Sequence, residues 1–396
     1  MDFRDTPDEA AFRKEVRAWF QANLPEGWSS SSLFMESPDA RVEFLRDFQR
    51  KLYEGGWAGL SWPKDYGGRG ATLIEQVIFS QESARTKAPQ PLGVIGLGMA
   101  GPTIIAHGTD EQKTRYLSKI LSGEEIWCQG FSEPGSGSDL ASLKAPAVLD
   151  GDAYVVNGQK VWTSYAHIAD WCILLARTDN TGPKHGGITY FLMDMHAPGV
   201  EVRPLRQMTG DAQFNELFLT DVRIPRENIL GDVNDGWRVA MTTLLHERGT
   251  LGFALAVAGG VALDELIAYA KSTPRAAGGV AFDDPLVRQR IARLYEQVQA
   301  NMLNNYRALA VMMKTGIPGP EGSLSKLMFS ETNQELGALA VEIAGGYGLL
   351  ESAEDPDVAR WQYAHLRARG NSIEAGTSEI LRNIIAERVL GLPKHK

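Results

Sequence analysis

The chain has 396 residues, 43% of them hydrophobic, with 40 Lys and Arg against 49 Asp and Glu for a formal net charge of -9. That length and apolar content predict two or three packed domains rather than one. The two signs of charge are interspersed and no basic stripe offsets the acidic balance, which argues against nucleic acid as the main partner.

The N-terminus, MDFRDTPDEA, is charged from its second residue. No apolar run approaches the roughly eighteen residues of a membrane span without Gly or polar breaks. The two cysteines, Cys128 and Cys172, have neither companions nor metal-ligand spacing, so they read as buried, reduced thiols, with no metal site and no disulfide framework. A cytoplasmic location with no membrane partner is expected.

In chain order, Ala11, Phe12, Val16, Trp19 and Phe20 fall at helical spacing and predict a helix over 7–24, ended by Pro25. A second helix over 41–54 stops at Gly55-Gly56, and further helical patterns cover 72–86, 92–106 and 110–121, with Gly123 closing the series. From residue 126 the period changes to two. Strands are predicted over 148–152 and 155–160, with hairpin turns at Asp150-Gly151 and Asn157-Gly158, then over 171–177, 188–194, 200–205 and 214–224. A small antiparallel barrel is the natural closure. Helices return over 237–271, 285–315, 323–345 and 377–390, the last ended by Gly391 and Pro393. The fold class is therefore α+β and multidomain: an α-helical domain over 1–124, a β-barrel over 125–232 and a helical bundle over 233–396.

Chemistry concentrates in a few stretches. The loop FSEPGSGSD, residues 131–139, combines Gly135 and Gly137 with Ser132, Ser136 and Ser138. Its backbone can approach a ligand while N–H and O–H donors surround it, which suits a phosphate or a carbonyl-rich ring. It lacks a Gly-Lys-Ser/Thr ending and a following helix, so neither the Walker loop nor the dinucleotide fingerprint applies. On the helix after Trp237, the spacing places Ala240, Leu244, Glu247, Leu251, Ala254, Ala258 and Val261 on one stripe, with Glu247 its only charge. A carboxylate there is either paired with a basic neighbour, a pair that adjacent Arg248, pointing roughly 100° around the helix, need not form, or kept as a base of raised pKa; His246 reads as an ordinary histidine. Gly376-Thr377-Ser378 opens the last helix and is either a polar-ligand site or a plain cap, and AGGYG at 344–348 is either a C-cap or a backbone approach to a phosphate.

Together, GPTIIAHGTDEQKTRYLSKILSGEEIWCQGFSEPGSGSDLASLK, NGQKVWTS, LFLTDVRIPRENILG, EIAGGYG and EAGTSEI resemble the acyl-CoA dehydrogenase family of flavoenzymes through nearly the whole chain. The resemblance implies an N-terminal helical domain, a middle β-barrel and a C-terminal four-helix bundle, assembled as a tetramer and binding FAD. It puts Gln129, Phe131, Ser132, Gly137 and Ser138 around the flavin, Ser138 also near the acyl-CoA, with Trp162, Thr163 and Ser164 as the second flavin segment. Trp162 would lie against the isoalloxazine and Ser164 would bond near N5. Arg275, Glu342, Gly345, Gly346, Thr377 and Glu379 fall where the family contacts the FAD carried largely by a neighbouring subunit, and Arg248 and Ala375 fall beside the substrate.

Most members of the family carry their catalytic Glu where this chain has Ala375, and Glu374 is one residue too early. A minority supply it from the helix, immediately before the arginine that Arg248 matches. Glu247 holds that place, so the resemblance implies that Glu247 removes the α-proton of an acyl-CoA while the β-hydrogen leaves as hydride to flavin N5. Other departures are Arg275-Ala-Ala-Gly-Gly in place of Arg-x-x-Phe-Gly, and Glu342 and Glu379 where Gln is common. The wording FSEPGSGSDLASLK and LLHERG resembles bacterial members that act on bulky sterol-derived thioesters and form mixed tetramers. An electron-transfer flavoprotein is the implied acceptor. Two rivals stay open: an oxygen-using oxidase or monooxygenase of the same fold, and a subunit that only completes a partner's site.

Overall fold

The computed structural model describes residues 4–29, 37–249, 251–315, 319–350 and 355–394, with no side chain described within 246–251. The chain divides into two compact units, one of Pro38–Ala71 and Gln90–Glu247, the other of Met1–Ser37, Thr72–Pro89 and Arg248–Lys396.

The first unit holds the strands. β1 (Trp127–Gly130), β4 (Trp171–Arg177) and β5 (Ile188–Asp194) form one sheet, while β2 (Ala147–Asp150), β3 (Ala153–Ser164), β7 (Phe214–Pro225) and β6 (Val200–Leu205) form the other in that order. β4, β5 and β6 match the ranges expected from the alternation of apolar residues. One pair departs from the antiparallel expectation, because β1 runs parallel to β4 and sets Cys128 opposite Cys172. Both thiols are fully buried and free, as expected. The inward faces of both sheets share one core, including Val156, Leu174, Phe191, Leu217 and Val222. Helices complete the unit: α2 (Pro38–Glu54), then α4 (Gly101–His107), α5 (Asp110–Ser122) and α6 (Gly236–Gly249). Buried Gln49 on α2 ties two of its neighbours, donating to the Ile120 carbonyl at 3.0 Å and accepting from the Gly93 N–H at 2.6 Å.

Of the two hairpins expected, only the first forms. Asp150 pairs with Ala153 across a turn at Gly151, whereas Asn157-Gly158 lies inside β3 at a shift in register against β7. Two contacts explain the difference. A Cβ on Gly158 would stand 2.8 Å from that of Ala145, and the Asn157 side chain is bonded to both the backbone N–H and the carboxylate of Asp221. The dipeptide makes a bulge, another use of its freedom at positive φ.

The second unit is helical: α1 (Pro7–Asn23), α3 (Leu73–Arg85), α7 (Leu251–Ser272), α8 (Pro285–Thr315), α9 (Glu321–Ile343), α10 (Pro356–Asn371) and α11 (Ser378–Ile384). Thr6 with Glu9 and Thr72 with Glu75 make reciprocal capping boxes on α1 and α3. Leu263, Leu266 and Ala270 of α7 meet Ile291, Leu294 and Val298 of α8, Leu336 and Ala340 of α9 and Trp361 of α10 in one core, the four-helix bundle. The run of helices predicted from sequence omits α10, whose buried positions, Val358, Trp361 and Ala368, are few and widely spaced between charges. α7 is long and apolar enough to cross a membrane by length and composition, and 39% of that stretch is buried inside the protein, with Leu263, Leu266 and Ala270 in this core.

The stripe expected along α6 and α7 is off by one residue. Ala240 is buried, but in α7 the buried positions are Gly252, Phe253, Ala256, Val257 and Gly259, while Ala258 is exposed and Ala254 and Val261 are half-buried. Small residues explain the slip. Thr243 and the two glycines scored as non-apolar, yet Thr243 is buried because its hydroxyl is bonded, and Gly252 lets the chain approach Asn305 and Ser325 closely.

Candidate functional site

The expected residues fall in both units, and those of the strand-bearing unit are brought together. In the strand-bearing unit, the loop of residues 131–139 leaves the end of β1 and returns toward β2. Its root is held by an ion pair between a buried lysine and a half-buried glutamate. Lys160 of β3, wholly inaccessible to solvent, donates from Nζ to Glu133 Oε1 at 2.8 Å and to the Phe131 carbonyl at 3.2 Å. Glu133 also accepts the N–H groups of Lys144 and Ala145. Burial pushes the Glu133 carboxyl up, but Lys160 and the two backbone donors outweigh it and hold it below the usual carboxylate range. Burial lowers the Lys160 ammonium, against the opposing pull of Glu133. The Val161 N–H donates to the Ser132 carbonyl at 2.9 Å, so the loop and the segment that follows Lys160 form one rigid corner.

That corner presents the residues expected at a flavin. Trp162 is 61% exposed, and its φ of 62° is in the left-handed region at a second register shift in β3. A bulky residue held there costs roughly 1–3 kcal/mol, and such strain collects at functional sites. Thr163 is fully buried, and its Oγ1 has no hydrogen-bond partner among the described residues; Ser164 is half-buried. Ser138 is exposed, and Ser132 and Gln129 are half-buried. A Cβ on either Gly135 or Gly137 would meet nothing within 4 Å, so space is left beside the backbone. Two residues of the loop also make contacts within the protein. Ser136 donates to the carbonyls of Asp139 and Leu140, and the ring of Phe131 is buried against Tyr190.

Glu247 and Arg248 lie near the end of α6 by backbone; their side chains fall outside the described residues. The turn before them is well defined. Thr243, Thr103 and Tyr190 form a fully buried cluster of hydroxyls.

In the helical unit the expected residues lie at separate places: Arg275 after α7, Glu342, Gly345 and Gly346 at the C-terminal end of α9, and Ala375, Thr377 and Glu379 at the start of α11. Glu342 is bonded to Arg290 at 2.6 Å, and Arg275 to Asp284 at 2.9 Å. Gly345, with φ 58°, and Gly346 open a short 3-10 turn and have free space where a Cβ would stand. Thr377 caps α11, its Oγ1 accepting from the Ile380 N–H, and Glu379 is exposed. Capping, the plainer expectation, is thus what Thr377 does. Ala375 has φ 52°, and its N–H makes no hydrogen bond among the described residues.

Sequence reasoning missed what holds this last loop. Lys326, nearly buried on α9, donates to the carbonyls of Asn371 and Gly376, and Ser330 adds a bond to Asn371. Glu374 accepts from Arg367 at 2.8 Å and from Asn371 at 2.7 Å, so its carboxylate is already committed. The one available signal was a lysine set among small and apolar residues in SLSKLMFS.

Comparison with known proteins covers nearly the whole chain. Family models match as the acyl-CoA dehydrogenase N-terminal domain over residues 6–124, middle domain over 128–222 and C-terminal domain over 234–390. The chain is 40% identical to acyl-CoA dehydrogenase IpdE1 of Mycobacterium tuberculosis across 98% of both chains. Among solved structures it resembles the ChsE4-ChsE5 complex from Mycobacterium tuberculosis, with TM-score 0.85, 31% identity and 100% of both chains covered. It also resembles the Tcur3481-Tcur3483 steroid ACAD, with TM-score 0.84 and 31% identity over 100% of both.

Proposed function

The chain belongs to the acyl-CoA dehydrogenase family of oxidoreductases, and on that premise we propose that it desaturates an acyl-CoA thioester between Cα and Cβ, with Glu247 as the base. The observation that carries the choice of base is the commitment of Glu374 to Arg367 and Asn371. A carboxylate whose oxygens are taken up by a guanidinium and an amide is held away from a substrate proton that it would have to reach. With Ala375 at the other family position, Glu247 is the remaining family position for the base.

The residues present fit FAD. Thr163 Oγ1 is a buried polar atom without a partner among the described residues, the loop beside it leaves open space at two glycines, and the strained, exposed Trp162 offers a ring face. Trp162, Thr163 and Ser164, with Gln129, Ser132, Gly137 and Ser138, would hold the flavin; Arg275, Glu342, Gly345, Gly346, Thr377 and Glu379 would meet the FAD of a neighbouring subunit. The acidic Glu342 is compatible with a nearby pyrophosphate because Arg290 neutralises it. When bound, FAD supplies the acceptor for the β-hydride. The protein's own part is to remove the α-proton at the Glu247 carboxylate and to steady the thioester oxygen. The family resemblance gives that second task to the N–H of Ala375, which makes no hydrogen bond among the described residues. Ser138 and Arg248 would flank the acyl-CoA, and an electron-transfer flavoprotein would take the electrons onward.

We further propose a bulky, sterol-derived acyl group and an assembly with a related chain, supported by the naming of one similar structure as a steroid enzyme and another as a two-protein complex. The test is anaerobic mixing with a panel of short, branched and steroid acyl-CoAs while following flavin absorbance. Bleaching by the wild type that Glu247→Gln abolishes is the expected result, and bleaching that survives the substitution removes Glu247 as base. Rapid re-oxidation in air would favour the oxidase. A protein colourless alone and yellow when co-expressed with a relative would favour the mixed assembly.

A further inference from the structure

The buried hydroxyls behind α6 form a chain whose direction can be worked out. Thr103 Oγ1 lies 2.7 Å from the Met99 carbonyl, 2.9 Å from Thr243 Oγ1, and the latter 3.1 Å from the Tyr190 hydroxyl. A carbonyl cannot donate, so Thr103 gives its single proton to Met99. Thr103 therefore accepts from Thr243, and Thr243 accepts from Tyr190. The Val239 carbonyl, at 3.3 Å from Thr243 Oγ1, is the longer contact. All three residues are fully buried, and burial also pushes the Tyr190 phenol up, out of reach of physiological pH.

The chain joins three elements: α4 through Thr103, β5 through Tyr190 and α6 through Thr243. Tyr190 has a second role. Its ring packs edge-to-face on Phe131, with centroids 5.8 Å apart, and Phe131 begins the loop of residues 131–139. Thr243 stands one helical turn before Glu247 along α6.

We propose that Tyr190 and Thr243 are positioning residues for the reaction, fixing the height and rotation of α6 against the loop's root so that Glu247 is delivered at a set place; this rests on the reading of Glu247 as base. Apolar side chains could fill the same space, but apolar contact has no direction and tolerates sliding. Hydrogen bonds from two other elements to one hydroxyl do not. A proton-abstracting group needs placement within about 0.5 Å, which is the precision such a chain provides.

The test uses the flavin-loaded protein and four variants: Tyr190→Phe, Thr243→Val, Thr243→Ser and Glu247→Gln. Flavin content and melting temperature are measured first, then the rate of anaerobic flavin reduction across acyl-CoA concentrations. Tyr190→Phe and Thr243→Val are expected to lower the limiting rate about tenfold or more, with the half-saturating concentration and flavin content close to wild type. Thr243→Ser, which keeps the hydroxyl, should recover most of the rate. Wild-type limiting rates in both Tyr190→Phe and Thr243→Val overturn the proposal, as does a loss that merely follows lost flavin or melting temperature. Should Thr243→Val fail to fold, Tyr190→Phe decides, since it only removes a donor from Thr243. If Glu247→Gln is inactive while Tyr190→Phe reacts normally, this inference alone falls; if Glu247→Gln still bleaches, the base reading falls and takes the inference with it.

Discussion

The ammonium of Lys160, wholly buried on β3, lies 2.8 Å from Glu133 and fixes the root of the Gly/Ser-rich loop to the strand that carries Trp162. Two charges withdrawn from water are tolerable only while both remain, and breaking such a pair costs about 3–5 kcal/mol. Lys160→Met should therefore lower the unfolding free energy by an amount in that range and reduce retained flavin. Glu133→Gln combined with Lys160→Met should destabilise by less than the two single losses added. Additive losses in a denaturant titration would show that the pair is not coupled.

Glu82 is a buried carboxylate, bonded to Arg13, Arg17 and Arg85. Burial pushes its carboxyl up, but the bonds from Arg17 and Arg13 prevail and hold it below its ordinary value. The sign follows: its contribution is present above the unfolded carboxyl value of about 4.3 and is lost as pH falls through the lower folded value. At pH 7 Glu82→Gln should be less stable than wild type by about 2–3 kcal/mol. The difference should shrink on acidification below about pH 4.3; melting curves of both proteins from pH 7 to 3 that stay parallel would disprove it.

Glu374→Gln separates the two carboxylates considered as base. Glu374 holds Arg367 and Asn371, so its amide variant should still bleach in the presence of acyl-CoA, at a rate within a few-fold of wild type. Glu247→Gln should lose about 10²–10⁴-fold, the usual contribution of a positioned base. Stopped-flow rates in the opposite order would exchange the two assignments.

Trp162 yields a prediction of opposite signs. Its φ of 62° is unfavourable for any residue with a Cβ, so Trp162→Gly should stabilise the flavin-free protein by about 1 kcal/mol. The same change removes an exposed aromatic surface and should loosen the flavin. A rise in melting temperature of the stripped protein, with a fall in flavin absorbance per chain after gel filtration, is expected. A fall in both would mean that the ring's contact with Phe214 outweighs the strain.

Much of this architecture was legible because local pattern and burial coincide. The limits of β4, β5 and β6 followed from runs of apolar residues, since Ile173 to Ala176 and Ile188 to Met193 are buried on both faces. Long-range pairing left no such trace. Nothing near Asn157-Gly158 announces that Ala145 and Asp221 close on it, and nothing in the two cysteine segments announces their parallel register. The polar groups that hold the candidate site, Lys160, Lys326 and Thr243, were overlooked for a shared reason: each is buried only because a partner distant in sequence satisfies it. Family likeness supplied the cofactor residues, which composition alone left as an undifferentiated polar loop.

The division of the chain has a consequence for its birth on the ribosome. Residues 38–71 and 90–247 contain everything needed for the strand-bearing unit, so it can close while synthesis continues. The segments before and between them, 1–37 and 72–89, belong with residues 248–396. Once made, α1 and α3 have each other, through Phe20 against Phe79 and the arginines on Glu82, but Val77 and its neighbours must wait for Phe253 and Val257 of α7. At about 5–20 residues per second, that wait is roughly ten to thirty seconds. During it an apolar helix pair stands without its cover, so stalled nascent chains ending near residue 247 should bind chaperone through α1 and α3, and should release it once α7 has emerged.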